Sequence, residues 1–170
     1  NQKTLDEVVA EVKAAGGAIV GVKANVANRA EAEAMVDAAI EHFGRIDILC
    51  NNAGVMDQFQ GVGEVTDEIW ERVISINLNG PMYASRRAIP HMVAQGSGSI
   101  INVASIASIS GAAAGAAYTT SKHAVAGLTK NTAWIYGQKG VRCNAIAPGG
   151  VATNIAASMD MTKLDPLGVE

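Results

Sequence analysis

The run Ser99-Ile-Ile-Asn-Val-Ala-Ser-Ile-Ala-Ser-Ile-Ser-Gly-Ala-Ala-Ala-Gly-Ala-Ala-Tyr-Thr-Thr-Ser-Lys122 decides how this chain is read. Its first six residues form an apolar, strand-like stretch that ends at a hydroxyl, Ser105. A loop of small residues follows, and Tyr118 and Lys122 then stand four apart at the start of a helical segment. That spacing puts phenol and ammonium on one helix face, within reach of each other. A cation beside a phenol favours the phenolate and is expected to lower its pKa from about 10. Tyr118 is therefore a candidate general acid/base. Taken alone, a tyrosine and a lysine four apart are common on exposed helix surface, so the rest of the chain must decide.

Outward from this run, strands and helices alternate. Residues 2–15 carry Leu5, Val8, Val9 and Val12 at helical spacing, stopped by Gly16-Gly17. Residues 18–24 read as a buried strand. Residues 28–43 read as a second amphipathic helix, capped by Asn28 and ended by Gly44. The next strand, 46–50, runs into Asn51-Asn-Ala-Gly54. A polar loop then leads to a long helical segment, 66–95, with a bend expected at Gly80-Pro81. Beyond the strand near 99–104 come a helix over 117–137, a strand over 141–146 and the turn Pro148-Gly-Gly-Val-Ala-Thr153. The strands are continuous apolar runs, which suits a parallel sheet covered on both faces. With no internal repeat or interior linker, residues 1–170 read as one domain.

Composition narrows the function. A 49% hydrophobic share supports a sizeable core. A net charge of −3 without a basic run, and only 4% aromatics, argue against nucleic acid or an anionic membrane as partner. Cys50 and Cys143 sit in apolar runs and read as buried thiols, which with no membrane-spanning run points to a soluble, reducing, cytoplasmic setting. His42, His91 and His123 show no metal-ligand spacing, so no metal is expected. Trp70 and Trp134 occupy helical apolar positions and read as core or interface. In open parallel sheets ligands bind beyond the strand carboxyl ends. Asn25-Val26, Asn51–Gly54, Ser105 and Pro148–Thr153 all fall there.

At this point the sequence resembles the short-chain dehydrogenase/reductase family, in the branch of roughly 250 residues with a Rossmann-like, doubly wound, three-layer α/β/α sheet. The resemblance rests on Asn51-Asn52-Ala53-Gly54, Asn77, Ser105, Tyr118-x-x-x-Lys122 and Pro148-Gly149-x-Val151-x-Thr153, in the family's order and separations. It implies that Tyr118 exchanges a proton with the substrate oxygen and that Lys122 tunes Tyr118 and holds the nicotinamide ribose. Ser105 would bind the substrate oxygen, and Asn77 would hold a relay water. Asn25, Val26, Asn52, Ala53, Gly54, Pro148, Gly149, Val151 and Thr153, with Tyr118 and Lys122, would line an NAD or NADP site. Asn25 stands where the family usually has an aspartate for the adenine amino group; its side-chain oxygen can still accept that bond.

The glycine-rich phosphate turn and first strand of the family are absent from these 170 residues. The resemblance thus implies an incomplete domain, short of roughly 40 residues of the first βαβ unit, and expected neither to fold stably nor to bind dinucleotide alone. The residue choosing NAD over NADP would lie upstream of Asn1. The implied activity interconverts a secondary alcohol and a ketone, as in 3-oxoacyl reductases, polyol or sugar dehydrogenases and hydroxysteroid dehydrogenases. Asp57, Gln58 and Gln60 in the substrate loops lean toward a polar substrate of modest size. The alternatives are a non-catalytic dinucleotide sensor or scaffold, and an epimerase or dehydratase relative. The helices near 66–95 and 117–137 are apolar on more than one face, as for pairing into a homodimer or homotetramer.

Overall fold

The computed structural model describes residues 1–166. Its centre is a parallel sheet of three strands, β1 (Ile48–Asn51), β2 (Gly98–Val103) and β3 (Val141–Ile146), in the order β1-β2-β3. The register sets Leu49 beside Ile100 and Ile100 beside Cys143, so these side chains share one face. Onto that face pack α2 (Arg29–Phe43), α4 (Gly80–Gln95) and α5 (Ala116–Tyr136), with Val36, Ala84, Ala88, Met92, Ile100, Val141 and Cys143 in one apolar cluster. Small residues at Ala84 and Ala88 let α4 lie close on the strands. The other face carries Ile48 and Ile146, which are 64% and 53% exposed. Burial accordingly alternates along β1 and starts with alternation in β3.

The helix boundaries follow local chemistry. The Asn28 side chain accepts from the backbone of Ala30 and Glu31 to open α2, and Gly44 closes it in the left-handed conformation at φ 75°. Thr66 caps α3 (Asp67–Ile74) through a bond from Ile69 N. Helix α1 (Gln2–Ala14) starts at Asn1 and lays Leu5 and Val9 against Gly21.

Four expectations change. Residues 18–24 form no strand-strand pairing and are exposed or half-buried, so this apolar run packs under α1 without joining the sheet. Of segment 66–95, residues 67–95 are helical throughout, and the irregularity lies ahead of Gly80-Pro81, in a π-helical turn at Ser75–Asn79. One extra residue in the turn rotates the residues downstream of it about the helix axis, a common device at functional sites. Cys50 is exposed, because its side chain faces away from the covered side of the sheet, whereas Cys143 is buried; both thiols are free. Trp134 is 85% exposed on α5, so it is no part of this chain's core.

Candidate active site at the strand ends

Four of the residues singled out in the sequence meet at the carboxyl edge of β1 and β2. Ser105 follows β2 directly in extended backbone (φ −170°, ψ 167°) and caps the short turn Ile106–Ser108 by accepting from Ala107 N at 3.2 Å. Tyr118 and Lys122, on the first turns of α5, are 6% and 4% exposed. The Ser105 hydroxyl lies on the phenol's side of the site, where it favours the ionised form of Tyr118. Lys122 Nζ lies 5.4 Å from the centroid of the Tyr118 ring and donates to Val103 O at 2.7 Å. Burying an ammonium is costly unless it is hydrogen-bonded, and the last carbonyl of β2 supplies that acceptor.

Asn77 comes from the π turn. Its Oδ1 accepts from Val55 N at 2.9 Å, and its Nδ2 donates to Val55 O at 2.9 Å and to Ser121 Oγ at 3.2 Å. The side chain thus ties both backbone groups of Val55 to α5, with only 1% of its surface exposed. A Cβ on Gly54 would sit 3.5 Å from Asn77 Oδ1 and 3.6 Å from Lys122 Nζ, so bare backbone passes between the two. An unbroken α-helix through 75–79 would aim Asn77 elsewhere, and periodicity alone gives no sign of the π turn.

The electrostatics correct one expectation. Burial raises the Tyr118 phenol above its ordinary value, the Ser105 hydroxyl opposes the rise, and the negative charge of Asp57 adds to it. The neighbouring cation does not reverse this, because Lys122 is directed at Val103 O and its ammonium is itself disfavoured. Burial lowers its pKa from 10.5 to about 8.

The cofactor-lining set is more open. Asn25 is exposed, with its Oδ1 accepting from Ala27 N at 3.1 Å and its own N–H donating to Glu31 Oε2 at 2.8 Å. Val26 reaches the start of α4, where a Cβ on Gly80 would meet it at 3.1 Å. Asn52 and Ala53 are exposed and Gly54 is half-buried. Pro148 O accepts from Ile106 N at 3.0 Å, continuing the β2–β3 ladder past the strands. Gly149, Val151 and Thr153 are exposed, and Thr153 caps the turn Asn154–Ser158 through Ile155 N.

The bonds that brace the Asn51 run, and Asn102 with them, escaped the sequence reading. Asn51 Nδ2 donates to Asn102 Oδ1 at 2.8 Å and to Ser85 Oγ, while Asn102 Nδ2 donates to Thr129 Oγ1 at 2.8 Å. This buried polar ladder crosses from β1 through β2 to α5, just below the site. Its one visible signal is an asparagine inside each of two apolar strand runs. Asp57, read from the sequence as a substrate-loop residue, is instead 1% exposed and accepts from the start of α5.

Comparison with known proteins agrees with this geometry. The sequence profile of the short chain dehydrogenase family matches residues 1–163. A short chain dehydrogenase of Penicillium rubens, adrF, is 51% identical over 144 residues, covering 85% of this chain and 56% of that protein. 3beta-hydroxysteroid dehydrogenase 2 of Eggerthella lenta is 44% identical over 160 residues, covering 94% of this chain and 62% of that protein. Among solved structures, a short chain dehydrogenase/reductase from Burkholderia phymatum in complex with NAD superimposes with TM-score 0.88 at 33% identity, over 93% of this chain and 57% of its own. A gluconate 5-dehydrogenase from Burkholderia cenocepacia, in complex with NADP and tartrate, gives 0.84 at 29% identity, over 92% and 61%. The chain therefore spans little more than half the length of these relatives. With that profile match and a Rossmann-like sheet carrying Ser105, Tyr118 and Lys122 at its ligand edge, the chain belongs to the short-chain dehydrogenase/reductase family.

Proposed function

We propose that this chain carries the proton-transfer machinery of an NAD- or NADP-dependent oxidoreductase interconverting a secondary alcohol and the matching ketone. One observation carries the reading: the buried Tyr118 phenol shares the end of β2 with the Ser105 hydroxyl, with the Lys122 ammonium 5.4 Å from the centre of its ring. A phenol and a hydroxyl paired at a strand end can bind one substrate oxygen together. In the reducing direction Tyr118 gives its proton to that oxygen as charge builds on it, and Ser105 donates a second hydrogen bond. In the oxidising direction Tyr118 takes the proton back.

The nicotinamide cofactor supplies the hydride chemistry when bound. The residues present fit such a group. Lys122 commits one of its three N–H donors to Val103 O, which leaves donors suited to ribose hydroxyls. Gly54 offers backbone close to that ammonium, with Asn52 and Ala53 preceding it, and Val151 and Thr153 follow β3 at the same edge. Asn77 holds Val55, and with it the backbone behind Gly54; its proposed relay water would extend from Lys122. Asn25 and Val26 are proposed for the adenine end, where the Asn25 oxygen keeps a second lone pair beside its bond from Ala27 N.

The named relatives act on hydroxyl-bearing molecules, a 3β-hydroxysteroid in one case and gluconate in another. Asp57 and Gln58 are buried. The polar-substrate reading therefore rests on half-buried Gln60 and on the small residues of 106–117. Exposed Trp134 and Ile135 on α5 support self-association into a dimer or tetramer, and two free cysteines suit a cytoplasmic setting. No helix among the described residues is long and apolar enough to cross a membrane. The test follows nicotinamide absorbance of the full-length protein across a panel of secondary alcohols and ketones. Turnover in the native protein, lost in Tyr118→Phe with dinucleotide still bound, supports the reading. Dinucleotide binding without turnover of any panel member would favour a sensor.

A further inference from the structure

The N-terminus of α5 has no cap of its own. Gly115 occupies the N-cap position and offers no side chain, and the first turn of α5 holds no acidic residue. The open N–H groups at a helix start need acceptors, and when buried they need them from protein. They come from a loop nearly sixty residues away. Asp57 Oδ1 accepts from Gly115 N at 3.2 Å and from Phe59 N at 3.0 Å, and Asp57 Oδ2 accepts from Tyr118 N at 2.8 Å. Gln60 O accepts from Ala116 N at 2.8 Å. One short turn, 57–60, therefore takes three N–H groups of the helix start, that of Tyr118 among them.

Two details show how tightly this turn is built against the helix. Phe59 has φ 59°, the one non-glycine residue with positive φ among the described residues, a conformation that costs on the order of 1 kcal/mol and persists only where its surroundings impose it. A Cβ on Gly115 would meet Gln60 N at 2.6 Å and Phe59 C at 2.7 Å, so only glycine lets the helix start come this close. Asp57 itself is a fully buried acid whose partners are backbone amides and the positive end of a helix.

The charged groups near the phenol are few. On α5 itself it faces Lys122, and from the turn 57–60 it faces Asp57. The β2–α5 connection contributes the uncharged Ser105, and α3 contributes apolar Ile69 and Val73. Ile155 closes the cluster from the turn after β3. Glu64 and Asp165 line the pocket on the outer side of turn 57–60. A helix N-terminus by itself would favour a phenolate at its third residue, and Asp57 offsets that field.

Resting on the oxidoreductase reading above, we propose that Asp57 is a positioning residue for Tyr118, clamping the helix turn that carries the phenol and supplying the local negative charge against which the phenol ionises. It touches neither substrate nor cofactor in this role. It acts through the Tyr118 backbone amide and through its charge.

The test uses Asp57→Asn, which keeps size and one acceptor oxygen but removes the charge. Ionisation of Tyr118 is read as the difference in tyrosinate absorbance between each protein and the same protein carrying Tyr118→Phe, with no substrate or cofactor needed. The expected result is a Tyr118 titration displaced to lower pH in Asp57→Asn, with a lower melting temperature. Where turnover is measurable, the pH profile moves the same way. A lower melting temperature with an unmoved Tyr118 titration overturns the charge role and leaves a mere cap. A displaced titration in a protein that turns over no alcohol or ketone would uphold the Asp57 proposal while defeating the oxidoreductase reading. Should Asp57→Asn fail to fold, Asp57→Ser repeats the measurement with a short uncharged acceptor. Hydrogen exchange in the unaltered protein supplies the remaining check. Gly115 and Tyr118 amides exchanging as fast as unprotected peptide would overturn the clamp.

Discussion

Around Tyr118, hydrogen bonds join distant parts of the chain. Asn77 reaches Val55 across 22 positions, and Asp57 reaches Gly115 and Tyr118 across 58 and 61. Around the proposed cofactor rim the side chains bond within their own turns. Thr153 Oγ1 reaches Ile155, and Asn25 Oδ1 reaches Ala27, two positions on in each case. The first region is held by contacts that only the folded sheet can bring together. The second consists of self-capped turns on the exposed edge, tied to the sheet by few bonds such as Ile106 N to Pro148 O. Proton transfer needs fixed atoms, and a large ligand needs a rim that can admit it. The proposed division of labour matches that division of bonding.

The two regions should differ most at the phenol. Tyr118→Phe removes one oxygen and keeps the ring that packs with Val73, Ala107 and Ala117, so the fold should survive while turnover falls by about 100- to 10,000-fold. Steady-state rates beside thermal melting check this. A variant that melts much earlier, or that retains turnover, would place the chemistry elsewhere.

Lys122 tests the same region through stability. Its pKa in the folded chain is about 8 against 10.5 ordinarily, so the unfolded chain binds more protons between those values. The burial cost is therefore full below pH about 8 and is relieved as pH rises toward about 10. Lys122→Met removes the charge. It should gain at most about 3 kcal/mol below that window, less about 1 kcal/mol for the lost bond to Val103 O, while losing activity. Denaturant unfolding across the window would show a rising stability for the native protein and a flatter line for the variant. Parallel lines would sink the argument.

Asn77→Ala leaves Val55 N and Val55 O without their partner, beside a half-buried π turn. The expected cost is about 1–3 kcal/mol of stability. Asn77→Asp keeps an acceptor for Val55 N but faces Val55 O with another acceptor, so it should recover only part of the loss. Equal stability of all three proteins would mean that the distant bonds around Tyr118 contribute little to holding the site.

What could be read from residues alone divides along the same line. Helix α2 announces itself by its cap residues and helix α5 and strand β3 by their apolar runs, and the ligand edge follows from parallel topology. Ser105, Tyr118 and Lys122 were legible because they are local to one βα unit. Asp57 was not, since its function as a remote cap depends on a loop packing 58 positions away, which no local pattern encodes. The π turn under Asn77 was hidden because a five-residue turn and an α-helical turn share the same composition. Residues 18–24 misled for the opposite reason. Their local pattern suits a strand, but a strand exists only when another pairs with it, and here none does.

The smallest expected effect belongs to the rim, and it tests whether self-capped turns matter to ligand binding or only to themselves. Thr153 Oγ1 accepts from Ile155 N at 3.3 Å, a long bond at an exposed position. Thr153→Ala should therefore cost less than about 1 kcal/mol of stability, the low end for losing a helix-type cap. If the hydroxyl also serves the nicotinamide side of the site, the variant should raise KM for dinucleotide several-fold and leave kcat nearly intact, because the proton-transfer set lies on other elements. Thr153→Ser, which keeps the oxygen, should restore the native KM. A fall in kcat with KM unchanged would mean that the rim shapes the reacting geometry around Tyr118, and the separation between the two regions would then fail at its most exposed point.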